Sequence, residues 1–272
     1  MRRRILTSIM VSLKLDYAKY LWQLVNGFRS NHERAIAKLR EDDLSLQQLD
    51  KSTLRILDLA NGSLRPQYYI LRASGYSVYG IDVVNCRRRT WQARAYIIAR
   101  WLYTRNISAR SCKFDDTLVC GDVSALPFQD ESVDIVTSVA AFEHFLDVPQ
   151  VVRELYRITK RGAVVWVLIH LFTSPSGGHN VSLTQIPLRY LPHKVDPWDH
   201  LRKQYLPFNV PLNKWRQDQY LIEFQKYFEV LKQYCAMREG EHFLTVEIEN
   251  ELSNYTRDEL TCGAYVIVAR KS

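Results

Sequence analysis

The feature that most constrains the fold is a glycine-bearing turn between two short apolar runs. The segment RILDLANGSLRP covers Arg55 to Pro66, and Asp82 follows Gly62 by twenty residues, within a second apolar run, YGIDVV. In an open α/β sheet the first strand-to-helix turn brings backbone close to a ligand, and an acid closing the next strand accepts hydrogen bonds from ribose hydroxyls. The pattern therefore predicts half of a nucleotide site, which several classes of enzyme share.

Apolar runs and helical segments continue to alternate along the chain. We expect strands at 55–60, 77–84, 117–120, 133–139 and 163–170, helices at 66–74 and 148–159, and two late strands in YFEVLKQYCAM and GAYVIVAR. This spacing predicts an α/β fold: a doubly wound, seven-stranded, mostly parallel sheet with helices on both faces.

Four parts are predicted along the 272 residues. They are an N-terminal helical extension (1–50), an α/β core (51–170) with a basic helical insertion (85–114), a substrate lid (171–220), and the rest of the core (221–272). No apolar run approaches the ~20 residues that span a bilayer. The five cysteines are odd in number and form no C-x-x-C pair, which argues against a disulfide framework and for a reducing compartment. We expect a cytoplasmic protein.

The basic character belongs to one window. Between Val83 and Phe114 there are eight basic residues and no acid, which equals the formal net charge of +8. Three interpretations of this window are open. It forms a solvated helix face, it contacts an anionic membrane surface or a lipid-linked substrate, or it binds RNA phosphates. We do not expect nucleic acid as a partner, because no added recognition domain is present.

The block VCGDVSALPFQDESVDIVTSVAAFEHFLDVPQVVRELYRITKRGAVVWV, from Val119 onward, carries a family resemblance. Together with the glycine turn and Asp82, it resembles the class I S-adenosylmethionine-dependent methyltransferases, in the small-molecule, type 11-like branch. The likeness covers roughly residues 54 to 170 and the final strand pair, and it implies a Rossmann-like methyltransferase fold. The matching pieces are Gly121-Asp122, Leu126-Pro127-Phe128, Ser132-Val133-Asp134, Glu143-His144, Glu154-Leu155-x-Arg157 and Lys160-Arg161-Gly162.

The resemblance implies S-adenosyl-L-methionine as the cofactor, bound where the first four strands end. The residues implied to line it are Asp58, Ala60 and Gly62 at the methionine portion, Asp82 at the ribose, Asp122 and Val123 at the adenine, and Ser138 behind the methyl-donor pocket. Without the resemblance, Asp122 is a turn residue and Asp82 a strand-end cap.

Two positions depart from the family pattern. Ala60 and Leu64 stand where members usually carry glycine, which allows positive φ and close backbone approach. They keep open an alternative function, a degenerate, non-catalytic scaffold or regulatory protein with the methyltransferase fold. RNA methylation ranks below it. An NAD-dependent oxidoreductase would share the turn and the ribose acid, but it does not account for the Gly-Asp-x-x-x-Leu-Pro-Phe block.

Methyl transfer from a sulfonium is an in-line displacement, so the protein mainly aligns the acceptor, and a base is needed only for an unactivated hydroxyl. We expect a small-molecule, sugar or lipid-linked acceptor, methylated at oxygen. The catalytic candidates are His179, His170 and His144, with Glu143 beside them. The plainer alternatives are a loop hydrogen bond for His179, a strand cap for His170 and a structural role for His144.

A metal site is the last alternative. Imidazole and carboxylate side chains suit zinc or iron, and His170, His179, Asp199 and His200 would be the ligands. No close i, i+4 pair supports this set, so the sequence alone favours no metal.

Overall fold

The computed structural model describes residues 38–39, 41–42, 53–63, 65–85, 97, 100–101, 116–179, 197–204, 208 and 210–272. Three 3-10 turns lie at Val83–Asn85, Phe142–His144 and Glu241–Phe243. The strands and helices are β1 (Arg55–Leu59), α1 (Pro66–Ala73), β2 (Ser77–Ile81), β3 (Leu118–Val119), β4 (Val133–Val139), α2 (Val148–Ile158), β5 (Thr159–Ile169), α3 (Gln217–Gln225), β6 (Glu229–Arg238), α4 (Val246–Glu251), α5 (Arg257–Thr261) and β7 (Cys262–Arg270).

The strands form one seven-stranded sheet in the order β3-β2-β1-β4-β5-β7-β6. β1 pairs in parallel with β2 and β4, β2 with β3, and β4 with β5. β7 runs antiparallel to both β5 and β6. The predicted α/β, mostly parallel sheet is therefore confirmed, and its two late strands lie together at one side.

The sequence of α2 explains why it forms a helix and which face it buries. Pro149 lies in the first turn, where its missing N–H costs nothing, and Asp147 caps the helix by accepting a hydrogen bond from the Gln150 amide at 3.0 Å. One stripe at helical spacing is buried against the sheet. Its residues are Val148, Val151, Val152, Leu155 and Ile158.

The sheet separates two apolar cores. One contains the stripe of α2 with Leu57 and Leu59, and the other contains Ile56 and Tyr68 of α1 with Leu39. Successive residues of β1 thus enter opposite cores, as expected for a strand covered on both faces.

The N-terminal extension is described at four residues, all helical. Among them Asp42 lies against the sheet, where its Oδ2 accepts hydrogen bonds from the indole N–H of Trp166 (3.0 Å) and the hydroxyl of Tyr234 (2.6 Å). Lys232 Nζ lies 3.2 Å from the other carboxylate oxygen. This carboxylate therefore anchors the extension to β5 and β6.

A third, smaller core was not expected from the sequence. Trp198, from the predicted lid, is fully buried and donates its indole N–H to the carbonyl of Leu260 at 3.0 Å. It packs with Leu244, Leu252 and Leu260 from the segment around α4 and α5. The described part of the lid at 197–204 is therefore held by an apolar core, while the predicted domain boundaries stay predictions.

Three of the five cysteines lie in the described part of the chain. Cys120 is disulfide-bonded, whereas Cys235 and Cys262 are free thiols. The cysteine pattern therefore carries no conclusion about the compartment, and the cytoplasmic location stays a prediction. Among the residues that the structure describes, no helix is long and apolar enough to cross a bilayer.

We expect Asp42→Ala to lower the free energy of unfolding by about 1–3 kcal/mol at pH 7, since it removes the acceptor of two donors, the buried Trp166 indole and the partly buried Tyr234 hydroxyl. Burial tends to raise the pKa of Asp42, but the hydrogen bonds from Tyr234, Trp166 and Lys232 outweigh it and hold the pKa below its usual value. The stabilisation is therefore present above about pH 4 and is lost as the pH falls through the lowered pKa. Urea unfolding of both proteins at pH 7 and pH 3 measures it.

The matched control is Asp116→Ala, which removes an exposed carboxylate paired with Arg72 at 2.7 Å. This surface ion pair should contribute less than about 1 kcal/mol. Equal losses in the two variants would contradict the anchoring role of Asp42.

Candidate functional site

The turn after β1 keeps the backbone shape that the glycine pattern predicts. Ala60 adopts φ 54°, in the left-handed region, although it carries a side chain. Its amide donates to the carbonyl of Ile81 at 2.9 Å, which ties the turn to the end of β2. Gly62 has φ 65°, and a Cβ built on it would meet nothing within 4 Å. The turn therefore faces open space at the carboxyl end of the sheet. Leu64 lies outside the described residues.

Asp58 is a buried acid at the end of β1. Its Oδ2 has no hydrogen-bond partner among the residues that the structure describes. Burial raises the pKa of Asp58 well above its usual value, an amide hydrogen bond from Tyr68 opposes this, and the charge of Asp82 adds to it. A buried oxygen of this kind needs a donor, and a ligand ammonium group at the turn would supply one.

Asp82 and Asp122 follow neighbouring parallel strands at the same edge, after β2 and β3. Asp82 accepts hydrogen bonds from the Gly62 amide (2.8 Å) and the Val84 amide (2.9 Å). Asp122 accepts from the amide and hydroxyl of Ser124, at 2.9 and 2.8 Å, and these bonds lower its pKa. Each acid thus also performs the local capping role of the plainer interpretation. An ionised carboxylate accepts about four hydrogen bonds, so both keep capacity for a ligand.

Two further predicted residues form the wall of this region. Ser138 is fully buried in β4, and its hydroxyl donates to the carbonyl of Leu59 at 3.2 Å. It therefore joins β4 to β1 behind the turn. Val123 is partly buried and packs against the core formed with α2.

A second group of polar residues lies after β4 and β5. Glu143 and His144 belong to the 3-10 turn Phe142–His144, which Asn213 holds. The Asn213 side-chain amide donates to the carbonyls of Phe142 (2.7 Å) and Phe145 (2.9 Å), and its backbone amide donates to that of Glu143 (2.9 Å). The segment before α3 therefore fixes the turn that carries the acid.

Glu143 has 1% of its surface exposed, and neither carboxylate oxygen has a hydrogen-bond partner among the described residues. Burial raises the pKa of Glu143 to about 8, against smaller opposing effects of its own backbone amide and that of His170. His144 Nε2 lies 3.9 Å from Glu143 Oε1. His144 Nδ1 lies 3.0 Å from the carbonyl of Pro211, which only accepts, so Nδ1 carries the proton.

His170, directly after β5, is oriented by a two-step hydrogen-bond chain. The Ser176 hydroxyl donates to Glu239 Oε1, and the Ser176 amide donates to the same oxygen at 3.2 Å. The Ser176 oxygen lies 2.7 Å from His170 Nε2 and must accept there, because its own proton is used on Glu239. His170 therefore carries its proton on Nε2 and a lone pair on Nδ1.

His179 follows directly after Gly177 and Gly178, and its ring lies close to those of the other two candidate histidines. Its ring centre lies 4.7 Å from that of His170 and 4.9 Å from that of His144. Burial and, to a smaller extent, the neighbouring histidines lower the pKa of His179 to about 3. The ring is therefore neutral at pH 7. His179 itself has φ 53°, so the turn delivers it in a strained backbone conformation.

Both glycines before His179 are required by space. A Cβ on Gly177 would lie 2.2 Å from the carbonyl oxygen of Leu171, and one on Gly178 would lie 2.6 Å from the Cβ and Cγ of His200. His200 is buried, and its Nε2 lies 2.6 Å from the carbonyl of Phe172. His200 therefore supports the turn from beneath, and it does not join the three candidate histidines.

The structure places His144, His170 and His179 close together with Glu143 beside them, while their catalytic roles stay predictions. The oxygen and nitrogen atoms that Glu143, His170 and His179 offer lie within 4.8 Å of one another. Sequence reasoning missed the residues that hold this group, Ser176, Glu239 and Asn213. No local pattern could have found them, because Glu239 is 63 residues from Ser176.

Comparisons with known proteins point to one family. Residues 57–167 match the family described as a methyltransferase domain. An uncharacterised methyltransferase of Mycolicibacterium vanbaalenii is 34% identical over 131 residues, which are 48% of this chain and 45% of that protein. An uncharacterised methyltransferase of Mycobacterium leprae is 40% identical over 60 residues, 22% of each protein. The chain therefore matches less than half the length of these relatives.

A solved protein from Pyrococcus horikoshii OT3 superposes with a TM-score of 0.52 at 20% identity, over 92% of this chain and 96% of that one. The geranyl diphosphate C-methyltransferase of Streptomyces coelicolor A3(2) superposes with a TM-score of 0.51 at 15% identity, over 88% of this chain and 81% of that one. That structure holds Mg²⁺, geranyl diphosphate and S-adenosyl-L-homocysteine. At this identity both structures show likeness of fold alone.

We expect Gly178→Ala to lower the free energy of unfolding by about 1–3 kcal/mol, since the added methyl group overlaps the His200 ring in a packed interior. The effect is measured by urea denaturation as one arm of a double-mutant cycle with His200→Gly. In that background both the Cβ and the ring of His200 are gone, so Gly178→Ala should cost less than half as much. An unchanged cost would show that His200 does not support the turn.

Proposed function

We propose, since residues 57–167 belong to the methyltransferase domain family, that this chain is an S-adenosyl-L-methionine-dependent methyltransferase. The resemblance that the sequence carries is thereby confirmed over this segment, and so is the fold. The observation that carries the proposed activity is the open turn at Gly62, bordered by the acids that follow β1, β2 and β3.

The residues present fit the cofactor. The buried Asp58 oxygen without a partner matches a ligand ammonium group, and the free capacity of Asp82 matches the two hydroxyls of a ribose. Asp122, ionised and exposed, would accept a hydrogen bond from the exocyclic amine of an adenine. Ala60 keeps the left-handed backbone that the missing glycine would have adopted, so the turn retains its shape. When bound, S-adenosyl-L-methionine supplies a methyl group attached to a sulfonium, and the thioether that remains is a good leaving group.

The protein's own contribution is then to hold the acceptor in line with that methyl group and to exclude water. Ser138 closes the wall between β1 and β4, and the group at Glu143 borders the pocket on the side of β5. His179, neutral at pH 7, carries one N–H donor and one acceptor nitrogen in a mostly buried position. Such groups orient a hydroxyl, so we propose a small-molecule, sugar or lipid-linked acceptor methylated at oxygen.

The non-catalytic scaffold stays as the second candidate. It would leave the acids after β1 to β3 with only their local capping roles, as Asp82 has toward Val84 and Asp122 toward Ser124. Cofactor binding separates the two candidates, because a scaffold of this kind need not bind any adenosyl ligand.

A peripheral membrane contact through the basic insertion, residues 85–114, belongs to the same proposal. Of its central helical part, the structure describes Ile97, Arg100 and Trp101. Ile97 and Trp101 are 56% and 53% exposed, and Arg100 donates to the carbonyl of Ser63 in the cofactor turn at 2.8 Å. An exposed tryptophan and a guanidinium suit the headgroup zone, which would place a lipid-linked acceptor beside the turn.

We expect Asp82→Ala to weaken the binding of S-adenosyl-L-homocysteine by tenfold or more, because losing a charged acceptor costs about 1.5–3 kcal/mol. Isothermal titration calorimetry on the full chain measures it. The matched control is Asp134→Ala, at the amino end of β4, where the carboxylate pairs with Lys160. Binding that Asp82→Ala leaves intact, or that both variants weaken equally, would contradict the assigned site.

The acceptor is tested with methyl-labelled cofactor and four acceptors: a sugar glycoside, a phenol, a lipid-linked sugar and an amine. We expect labelled product from a hydroxyl acceptor, and a turnover about 100-fold lower in His179→Ala with cofactor affinity within threefold of the unaltered chain. Transfer to the amine alone would overturn the assignment to oxygen. Full turnover in His179→Ala would show that the His179 ring takes no part in the reaction.

A further inference from the structure

The group formed by Glu143, His170 and His179 has the composition of a metal site. The three side chains come from separate segments: the 3-10 turn after β4, the end of β5, and the turn that contains Gly177 and Gly178. Their ligand atoms lie within 4.8 Å of one another. Ligand atoms around one zinc ion at 2.0–2.2 Å lie about 3.4 Å apart, so small side-chain rotations would close this group around an ion.

Glu143 supplies the second, independent observation. Its side chain is 99% buried and points into this group, yet neither oxygen accepts a hydrogen bond of normal geometry among the described residues, and only the nearby amides of Glu143 and His170 act on the carboxyl group. Burying a carboxyl group without partners is costly, and such groups in folded proteins are paired or coordinate a metal. His144 Nε2, at 3.9 Å from Glu143 Oε1, is beyond hydrogen-bond reach.

His170 is prepared in the manner of a metal ligand. The chain from Glu239 through Ser176 fixes the proton on His170 Nε2, so that Nδ1 presents its lone pair. Ligating histidines in proteins commonly have their other ring nitrogen held by a carboxylate or hydroxyl, which orients the ring and raises its basicity. Gly263 makes room for this chain, since a Cβ there would lie 2.9 Å from the Glu239 side chain.

We propose that Glu143, His170 and His179 bind one divalent cation of the Zn²⁺ or Fe²⁺ class. Two imidazole nitrogens and one carboxylate oxygen favour these ions over Mg²⁺ and Ca²⁺, which prefer all-oxygen sites. Three protein ligands leave at least one coordination position open. If the proposed methyl transfer holds, this position suits an acceptor oxygen. The metal site itself does not depend on that function.

This set differs from the one weighed on the sequence, where His200 and Asp199 stood in place of Glu143. His200 is turned away, because its Nε2 is held by the carbonyl of Phe172 and its ring lies under Gly178. The sequence favoured no metal since the ligands show no close spacing. Glu143 and His170 are 27 residues apart and meet only because β4 and β5 are neighbours.

The test uses the full chain, dialysed against a chelator and titrated with Zn²⁺ in competition with a chromophoric chelator, without cofactor or acceptor. We expect one equivalent of Zn²⁺ per chain with micromolar or tighter affinity, and no comparable binding of Mg²⁺. Glu143→Gln and His179→Ala should each weaken the affinity by about 100-fold, since even second-shell changes cost 10–100-fold. His242→Ala, which removes an exposed histidine outside the group, is the matched control and should change nothing.

Ser176→Ala tests the positioning chain separately. It leaves all three ligands in place but releases the His170 ring, so Zn²⁺ affinity should fall about tenfold while S-adenosyl-L-homocysteine affinity is unchanged. Zinc X-ray absorption of the unaltered chain should show about two nitrogen neighbours at 2.0–2.1 Å, and this readout does not require any variant to fold. Less than one equivalent of Zn²⁺, an all-oxygen shell, or equal binding by Glu143→Gln, His179→Ala and the control would overturn the proposal. Cofactor binding without Zn²⁺ binding would refute the metal site and leave the methyltransferase standing.

Discussion

The parallel pairing of β1, β2, β4 and β5 is the constraint on which the rest of this structure depends. Parallel strands end at the same edge, so residues far apart in sequence meet there without any local pattern. Asp58, Asp82, Glu143 and His170 each follow or close one of these strands. Since neighbouring strands are about 4.8 Å apart, the acids on one side and the histidines on the other border a single crevice.

This edge has two electrostatic regions. Near β2 and β3, hydrogen bonds from Ser124 keep the pKa of Asp122 low, so its carboxylate is charged and in contact with water. Near β4 and β5, burial raises the pKa of Glu143 to about 8 and lowers that of His179 to about 3. The first region suits a polar, hydrated ligand such as an adenosine. The second holds buried polar groups, where a ligand that supplies the missing hydrogen bonds or coordination gains most from binding.

Sequence reasoning succeeded where the signal is local and periodic. The apolar runs of β1 and β4 and the helical segment of α2 predicted the sheet and its helices. The functional roles assigned to the turn at Gly62 and to the three histidines stay predictions. Sequence reasoning failed where the cause is long-range: Glu239, which follows β6, reaches Ser176, and Trp198 joins a small core with Leu260. Residues 1–37, Leu64 and most of the insertion lie outside the described part of the chain, so those expectations stay predictions.

The order of strands at the far side of the sheet has a consequence for how the protein is made. Within the sheet β6 pairs only with β7, and β7, the last strand in the sequence, lies between β5 and β6. Glu239 follows β6 and therefore takes its place beside Ser176 only after β7 has been synthesised. A growing chain can pair its first five strands and form the turn at Gly62 with its neighbouring acids, while the imidazole beside β5 still lacks its orienting partner. The two halves of the crevice thus mature at different moments of synthesis.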